Sequence, residues 1–241
     1  MRYRPAITSL SFDDIKRISA DDFSHLSDDL NPTELRYIFE KCDALWLHPG
    51  DPKAPHAELT SGKCSNGFVD VLRVIRYTNL CQIFGLMMVR QLIKHVGHNN
   101  FRYSWVIGSD HAGATISYAV ASWLGFQHDF TEKGPDKTQV WKRFVIQPDE
   151  VVLQVEELIT TTGTLKAVRD GINAGNPTPV KFAPVVMTLV HRSDQYEFEG
   201  SPILYLAHFD IQTWEPKDCP LCAAGSERIR PKQNWAKLTG K

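Results

Sequence analysis

The 241-residue chain carries 27 basic against 28 acidic side chains, a net charge of −1, with 42% hydrophobic and 10% aromatic residues. That composition suits a soluble globular protein with room for one α/β domain and elaborations, or a core plus a small subdomain. It excludes the chain-wide basic field of a nucleic-acid-coating protein, while leaving room for a local basic loop.

From Met1 to Asp22 the chain mixes Arg, Lys and Asp with short apolar pieces, without the apolar block of a signal peptide. Nothing downstream approaches the ~20 apolar residues of a membrane span. Phe182 to Val190 comes nearest, but it is strand-sized and contains Pro184. A cytoplasmic location is expected. The odd count of cysteines (Cys42, Cys64, Cys81, Cys219 and Cys222) argues against a disulfide framework in such a chain.

In chain order, Leu10, Phe12, Ile15 and Ile18 are compatible with one short amphipathic helix. Asn31-Pro32-Thr33 reads as a helix start, with Leu35, Ile38 and Phe39 following at helical spacing. His48 to His56 holds three prolines and a glycine and is a loop. Trp105-Val106-Ile107 is a buried-strand candidate, Ala114 to Leu124 a packed helix, and Val151 to Val155 a second strand of near-continuous apolar character. Leu165, Val168 and Ile172 form a helical stripe, and Val185 to Val190 and Ile203 to Phe209 are two further strands. This alternation predicts an α/β fold with a doubly wound, mainly parallel sheet, in which ligands collect beyond the carboxyl ends of the strands.

The chemistry concentrates in Val151-Val152-Leu153-Gln154-Val155-Glu156-Glu157-Leu158-Ile159-Thr160-Thr161-Thr162-Gly163-Thr164. A buried strand ends in two carboxylates, runs through small hydroxyl residues and a glycine, and enters a helix. Two carboxylates can accept from the two hydroxyls of a ribose, and a threonine-rich turn at a helix amino terminus suits a phosphate. The same pattern also describes a capped helix after a strand with solvated glutamates.

This segment resembles the phosphoribosyl-diphosphate motif of type I phosphoribosyltransferases, and the chain is most similar to their orotate-specific branch. Leu59-Thr60-Ser61-Gly62-Lys63, with Ser65 and Asp70, resembles the base side of those enzymes. Gly108 to Gly113 stands at their diphosphate loop, Thr131 to Lys137 at their mobile basic loop, and His191-Arg192 where they carry Asp-Arg. Asp218 to Gly225 is similar to the ending of some members, so the likeness spans roughly residues 35 to 226.

The resemblance implies a small hood subdomain from roughly residues 35–75 plus C-terminal elements, set on a 35–226 transferase-like domain. An N-terminal helical extension (1–34) and a C-terminal tail (227–241) would flank it. It implies transfer of a phosphoribosyl group from 5-phosphoribosyl diphosphate to a nucleobase, orotate first, giving orotidine 5-phosphate and diphosphate. Glu156 and Glu157 would hold the ribose hydroxyls, and Thr160, Thr161, Thr162, Gly163 and Thr164 the 5-phosphate. Ser109, Asp110, His111, Ala112 and Gly113 would meet the diphosphate with Mg²⁺. Lys133 and Lys137 would close over the site as catalytic lysines, serving the neighbouring subunit of a homodimer with a shared active site. Lys63, Phe68, Thr160 and Arg192 would face the base. Partners would be small molecules, with no nucleic acid and no membrane.

The chain departs from the family in four places. Both acids are glutamates; Thr162 replaces a usual glycine; the diphosphate loop lacks a Gly-Gly pair and contains Asp110; and Thr60 stands where many orotate enzymes have lysine. These keep two alternatives open: transfer to another base, or a non-catalytic sensor of phosphoribosyl diphosphate. A sensor that binds DNA would carry a basic added domain, and the first thirty residues are too short and too acidic for one. Cys219-x-x-Cys222 is half of a zinc site, with Cys42, Cys64, His48 or His56 as possible partners, or a plain structural tail. His111 is either a ligand contact or a polar loop residue, His191 reads as a satisfied core histidine, and Trp214 and Trp235 as packing anchors.

Overall fold

The computed structural model describes residues 4–23, 25, 28–97 and 102–240; the remaining parts of the 1–34 extension and residue 241 of the tail lie outside it. The first half runs α1 (Phe12–Ile15), α2 (Pro32–Lys41), β1 (Leu45–Leu47), β2 (His56–Glu58), β3 (Cys64–Ser65), β4 (Gly67–Val69), α3 (Leu72–Ile75) and α4 (Thr78–Val96). Then follow β5 (Trp105–Gly108), α5 (Ala112–Leu124), β6 (Gln127–Phe130), β7 (Glu132–Lys133), β8 (Gln139–Val140), β9 (Val151–Ile159) and α6 (Gly163–Ala174). The chain finishes with β10 (Lys181–His191), β11 (Glu197–Phe198), β12 (Ser201–His208), β13 (Thr213–Trp214), α7 (Pro220–Ala223), β14 (Arg228–Ile229) and α8 (Trp235–Thr239).

Among the described residues the main sheet has the order β11-β12-β10-β9-β5-β6. All its pairings are parallel except β11 with β12, as the α/β expectation requires. Val152, Leu153 and Val155 of β9 are buried, the mark of a central strand covered on both faces. The carboxyl ends of β5, β9, β10 and β12 therefore deliver their following turns to one rim.

Helix α2 starts where the Asn-Pro pair places it. Asn31 accepts from the Glu34 amide at 3.0 Å while Glu34 accepts from the Asn31 amide at 3.0 Å, a reciprocal capping box. Leu165, Val168 and Ile172 bury the inner stripe of α6.

The amino terminus departs from the single helix expected. Capping by Ser11 starts α1, which stops after one turn, and the chain continues into a 3₁₀ turn at Ala20–Phe23. The reason is packing: Ile7, Ile15 and Phe23 are fully buried in the main core, and α4 holds this segment by its backbone. Asn79 donates to the carbonyls of Ile15 and Ile18, and Arg90 to that of Phe23. The segment seals a face of the core.

A second, four-stranded sheet, β13-β3-β2-β14, forms the hood. Arg228 and Ile229, which the sequence assigns to a tail, pair in parallel with His56 and Ala57. Trp235 packs edge-on to Phe68 at 6.3 Å, as the packing-anchor reading expects, beneath the Arg73 guanidinium at 4.5 Å. Residues after 227 thus complete the hood.

Candidate active site

The strand that ends in two acids does not present them alike. Glu156 is buried, accepting from the Ser109 amide at 3.2 Å and from the Ser109 hydroxyl at 2.6 Å. Burial first, and the neighbouring Glu157 charge second, push its carboxyl up to about 8. Glu157 is half-buried, and burial with the charge of Asp110 raises it as well. Of the two acids expected to hold the ribose hydroxyls, Glu156 is held by Ser109 and Glu157 is the more exposed.

Gly113 explains how the two carboxylates meet the turn after β5. A Cβ on Gly113 would lie 2.5 Å from Ser109 Oγ, 2.8 Å from Glu156 Oε2 and 3.4 Å from Glu157 Oε2. Only a residue without a side chain lets the first turn of α5 come this close. His111 takes φ +58° within the same turn, a conformation that favours glycine, and stands out into solvent.

Asp110, whose charge stands against a diphosphate, is tied down. Its Oδ1 accepts from Gln139 Nε2 at 3.1 Å and its Oδ2 lies 2.7 Å from His111 Nδ1. Burial works against ionisation, but these bonds and the charges of His111 and Lys133 hold its carboxyl below the usual range. Gln139 in turn accepts from the Thr131 hydroxyl at 2.8 Å, so β8 is linked to the diphosphate-loop position through one side chain.

The basic loop is a short hairpin of β7 and β8, with Lys133 and Lys137 both exposed. It lies over its own chain. Gly171 on α6 leaves room for the Gln139 carbonyl, and Trp141 packs edge-on to Trp105 at 5.9 Å. Lys133 is close enough to lower Asp110 electrostatically. Gln139 and Trp141 were not singled out by sequence reasoning; neither residue type advertises a site.

Beyond β9 the turn Thr160–Thr162 leads into α6, and Thr162 adopts φ −81°, ψ 4°. That conformation suits any residue, so Thr162 in place of glycine brings no backbone strain. No side chain caps the helix, and its first amides face the rim with the positive end of the helix dipole.

A cleft of about 1420 Å³ joins this turn to the hood. Thr160 to Gly163 and Arg192 line one side, and Leu59, Ser61, Lys63 and Trp214 the other. Lys63 ion-pairs with Glu215 at 3.2 Å on the exposed lip. Arg192 donates its amide to the Ile159 carbonyl at 2.8 Å, which fixes its backbone at the end of β10. Among the described residues no carboxylate lies within ion-pair distance of its half-buried guanidinium, and burial holds its pKa down.

Two expected assignments land elsewhere. Phe68 does not line the cleft but packs with Trp46, Trp235 and Leu238 in the hood core. Trp214, read as a packing anchor, lines the cleft instead, as do Tyr196 and His208, for which the sequence carries no signal. His191 is the buried histidine expected, its Nε2 2.9 Å from the Gln195 carbonyl and its ring stacked at 5.0 Å on Tyr205.

The relatives of this chain carry a consistent name. It is 30% identical to the orotate phosphoribosyltransferase of Heliobacterium modesticaldum, over 73% of this chain and 88% of that protein. It is also 30% identical to that of Desulforamulus reducens, over 84% of this chain and 97% of that protein. No family model matches the chain. Among solved structures, the fold resembles orotate phosphoribosyltransferase from Aeropyrum pernix, with TM-score 0.53 and 17% identity over 73% of this chain and 93% of that one. It equally resembles the Mycobacterium tuberculosis enzyme, with TM-score 0.51 and 18% identity over 73% and 96%. Among the described residues no helix is long and apolar enough to cross a membrane.

Proposed function

This chain belongs to the orotate phosphoribosyltransferase family, and we propose that it transfers the phosphoribosyl group of 5-phosphoribosyl diphosphate to orotate, releasing diphosphate. The observation that carries the choice of base is Arg192. A half-buried guanidinium without an acid partner, fixed at a strand end beside Thr160, suits the carboxylate of orotate.

In this reading the α6 amino terminus and Thr160 to Thr164 receive the 5-phosphate through backbone amides and hydroxyls. Glu157 accepts from the ribose hydroxyls, while Glu156 holds Ser109 and thereby the loop to Gly113, where the diphosphate lies. A Mg²⁺ ion bound here would supply charge neutralisation for the leaving diphosphate, and the half-buried Glu157 carboxylate is the hard oxygen donor that would hold it. Positive charge builds on the sugar and negative charge on the departing diphosphate, which Lys133 and Lys137 stabilise. Closure of the β7–β8 hairpin keeps water from the activated sugar. A homodimer sharing its sites completes the reading.

Thr60 favours a second reading, the same transfer to a neutral base, since many orotate enzymes have a lysine at this exposed position. One assay separates the two. Diphosphate release with Mg²⁺ is followed across orotate, uracil, adenine, guanine and hypoxanthine, with orotate expected to react fastest. Turnover of a neutral base with none of orotate would overturn the assignment of base. Failure of every base to give diphosphate release would leave a protein that only binds phosphoribosyl diphosphate.

A further inference from the structure

The half motif Cys219-x-x-Cys222 is completed by the hood sheet. His56 of β2 and Cys64 of β3 face the α7 turn, and the four ligand atoms all lie within 4.8 Å of one another. Cys64 Sγ is 3.6 Å from Cys222 Sγ, and His56 Nε2 is 3.4 Å from Cys222 Sγ and 3.8 Å from Cys219 Sγ. A tetrahedron with metal–sulfur bonds of ~2.3 Å and metal–nitrogen bonds of ~2.0–2.1 Å has edges of about 3.5–3.8 Å. His56, Cys64 and Cys219 are buried. The other two partners considered from sequence lie apart: Cys42 is in the main core, and His48 points its Nε2 to the Ala54 carbonyl at 3.3 Å.

A second observation sets the tautomer of the histidine. Ser226 Oγ donates to the Ala54 carbonyl at 2.6 Å, which spends its only proton. At 2.7 Å from His56 Nδ1 it must therefore accept, so Nδ1 carries the hydrogen. That leaves Nε2 with a bare lone pair aimed at the sulfurs, the arrangement that a hydrogen-bonded, metal-ligating histidine needs. On the other side the Cys222 amide donates to Cys219 Sγ at 3.4 Å, which favours a thiolate there.

We infer that His56, Cys64, Cys219 and Cys222 form a structural zinc site that clamps the C-terminal turn to the hood. Three thiolates and one imidazole are a soft donor set that selects Zn²⁺ over Mg²⁺ or Ca²⁺, and four protein ligands leave no open position for substrate. A disulfide between Cys64 and Cys222 would need ~2.05 Å between the sulfurs and would leave Cys219 and His56 without purpose. The Leu59–Lys63 turn hangs between two of the ligands, and Trp214 lies a few residues before a third. The clamp thus fixes the side of the cleft that carries Leu59, Ser61, Lys63 and Trp214.

The test uses the full chain, purified under reducing conditions from zinc-replete cells. Elemental analysis should give one zinc per chain, and Co²⁺ exchange should give the thiolate-to-metal charge-transfer and intense visible bands of a tetrahedral site. Cys219→Ser should abolish stoichiometric zinc, and Cys42→Ala should keep it. If Cys219→Ser fails to fold, Ser226→Ala serves instead, weakening zinc affinity roughly 10- to 100-fold through the freed imidazole. Zinc-depleted protein should show a raised KM for the base with a smaller change in kcat, because the clamp orders the cleft wall and not the reacting atoms. Wild-type protein that holds no zinc and takes up neither Zn²⁺ nor Co²⁺ would overturn the inference. So would a Cys64–Cys222 disulfide in freshly isolated protein, or zinc retained by Cys219→Ser.

Discussion

Ser109 grips Glu156 twice, its amide on Oε1 and its hydroxyl on Oε2, and so fastens the loop after β5 to the end of β9. Burial also raises the pKa of the carboxyl that receives both bonds toward neutrality, to about 8. This one contact links the position of the proposed diphosphate loop to pH.

The sign of that link is fixed. The folded chain holds the Glu156 proton up to about 8, whereas the unfolded chain loses it near 4.5. The contribution to stability is full below the unfolded value and is lost as pH rises through the folded one. Ligand-free protein should melt at falling temperature between about pH 5 and about pH 8, and Glu156→Gln should flatten much of that slope. Thermal melts across the pH series decide it; an equal slope in the variant would remove Glu156 as the cause.

Arg192→Ala should raise the KM for orotate while leaving the affinity for phosphoribosyl diphosphate nearly intact. Loss of a paired, desolvated charge contact costs about 2–4 kcal/mol, roughly thirty- to a thousand-fold in kcat/KM. Arg192→Lys should recover little, because an ammonium cannot form the two-pronged contact. Steady-state kinetics with each substrate varied in turn gives the answer, and an unchanged KM for orotate would move the base away from Arg192.

Lys133→Ala should lower kcat far more than it weakens binding of phosphoribosyl diphosphate, since the charge it meets grows as diphosphate leaves. Lys137→Ala should act in the same direction. Calorimetry alongside turnover separates the two effects. At low orotate, mixing Lys133→Ala with Arg192→Ala protein should restore part of the activity that each variant lacks if the hairpin serves a partner. No recovery would mean that Lys133 works beside its own Asp110, the residue whose charge it already meets within the chain.

Thr162→Gly should not improve catalysis, although it restores the residue usual in the family. The backbone at Thr162 is already in a region open to threonine, so glycine adds only freedom in the unfolded chain, at a cost of about 0.4–1 kcal/mol in stability. Chemical denaturation with a parallel turnover assay tests both halves; a large gain in turnover would show that the methyl group obstructs the phosphate.

The sheet was legible because parallel central strands write themselves as continuous apolar runs: Val151 to Val155 and Val185 to Val190 lie within observed strands, and Ile203 to Phe209 overruns its strand by one residue. Helix α4 had no such signature. Ten of its nineteen residues are buried, which leaves no narrow stripe to read. At the site, Glu156, Glu157 and the threonine turn could be found because acids and hydroxyls at a strand end are conspicuous. The bond from Gln139 to Asp110 could not, since it joins residues 29 positions apart through a neutral side chain. The cysteine pair announced half of the thiol cluster. Its other half, His56 and Cys64, depends on pairings between the hood and a segment about 160 residues away.

The parallel pairing of β14 with β2 also sets an order of assembly. Every strand of the main sheet has been synthesised once His208 is made, whereas His56 and Ala57 must wait for Arg228 and Ile229 before their edge is filled. Contacts so distant in sequence form late, because loop closure comes before any gain from pairing. During synthesis the hood strands therefore present an open edge while the core beneath them is already folded. A chain cut short between His208 and Arg228 would hold every strand of the main sheet but leave the wall over the cleft unfinished.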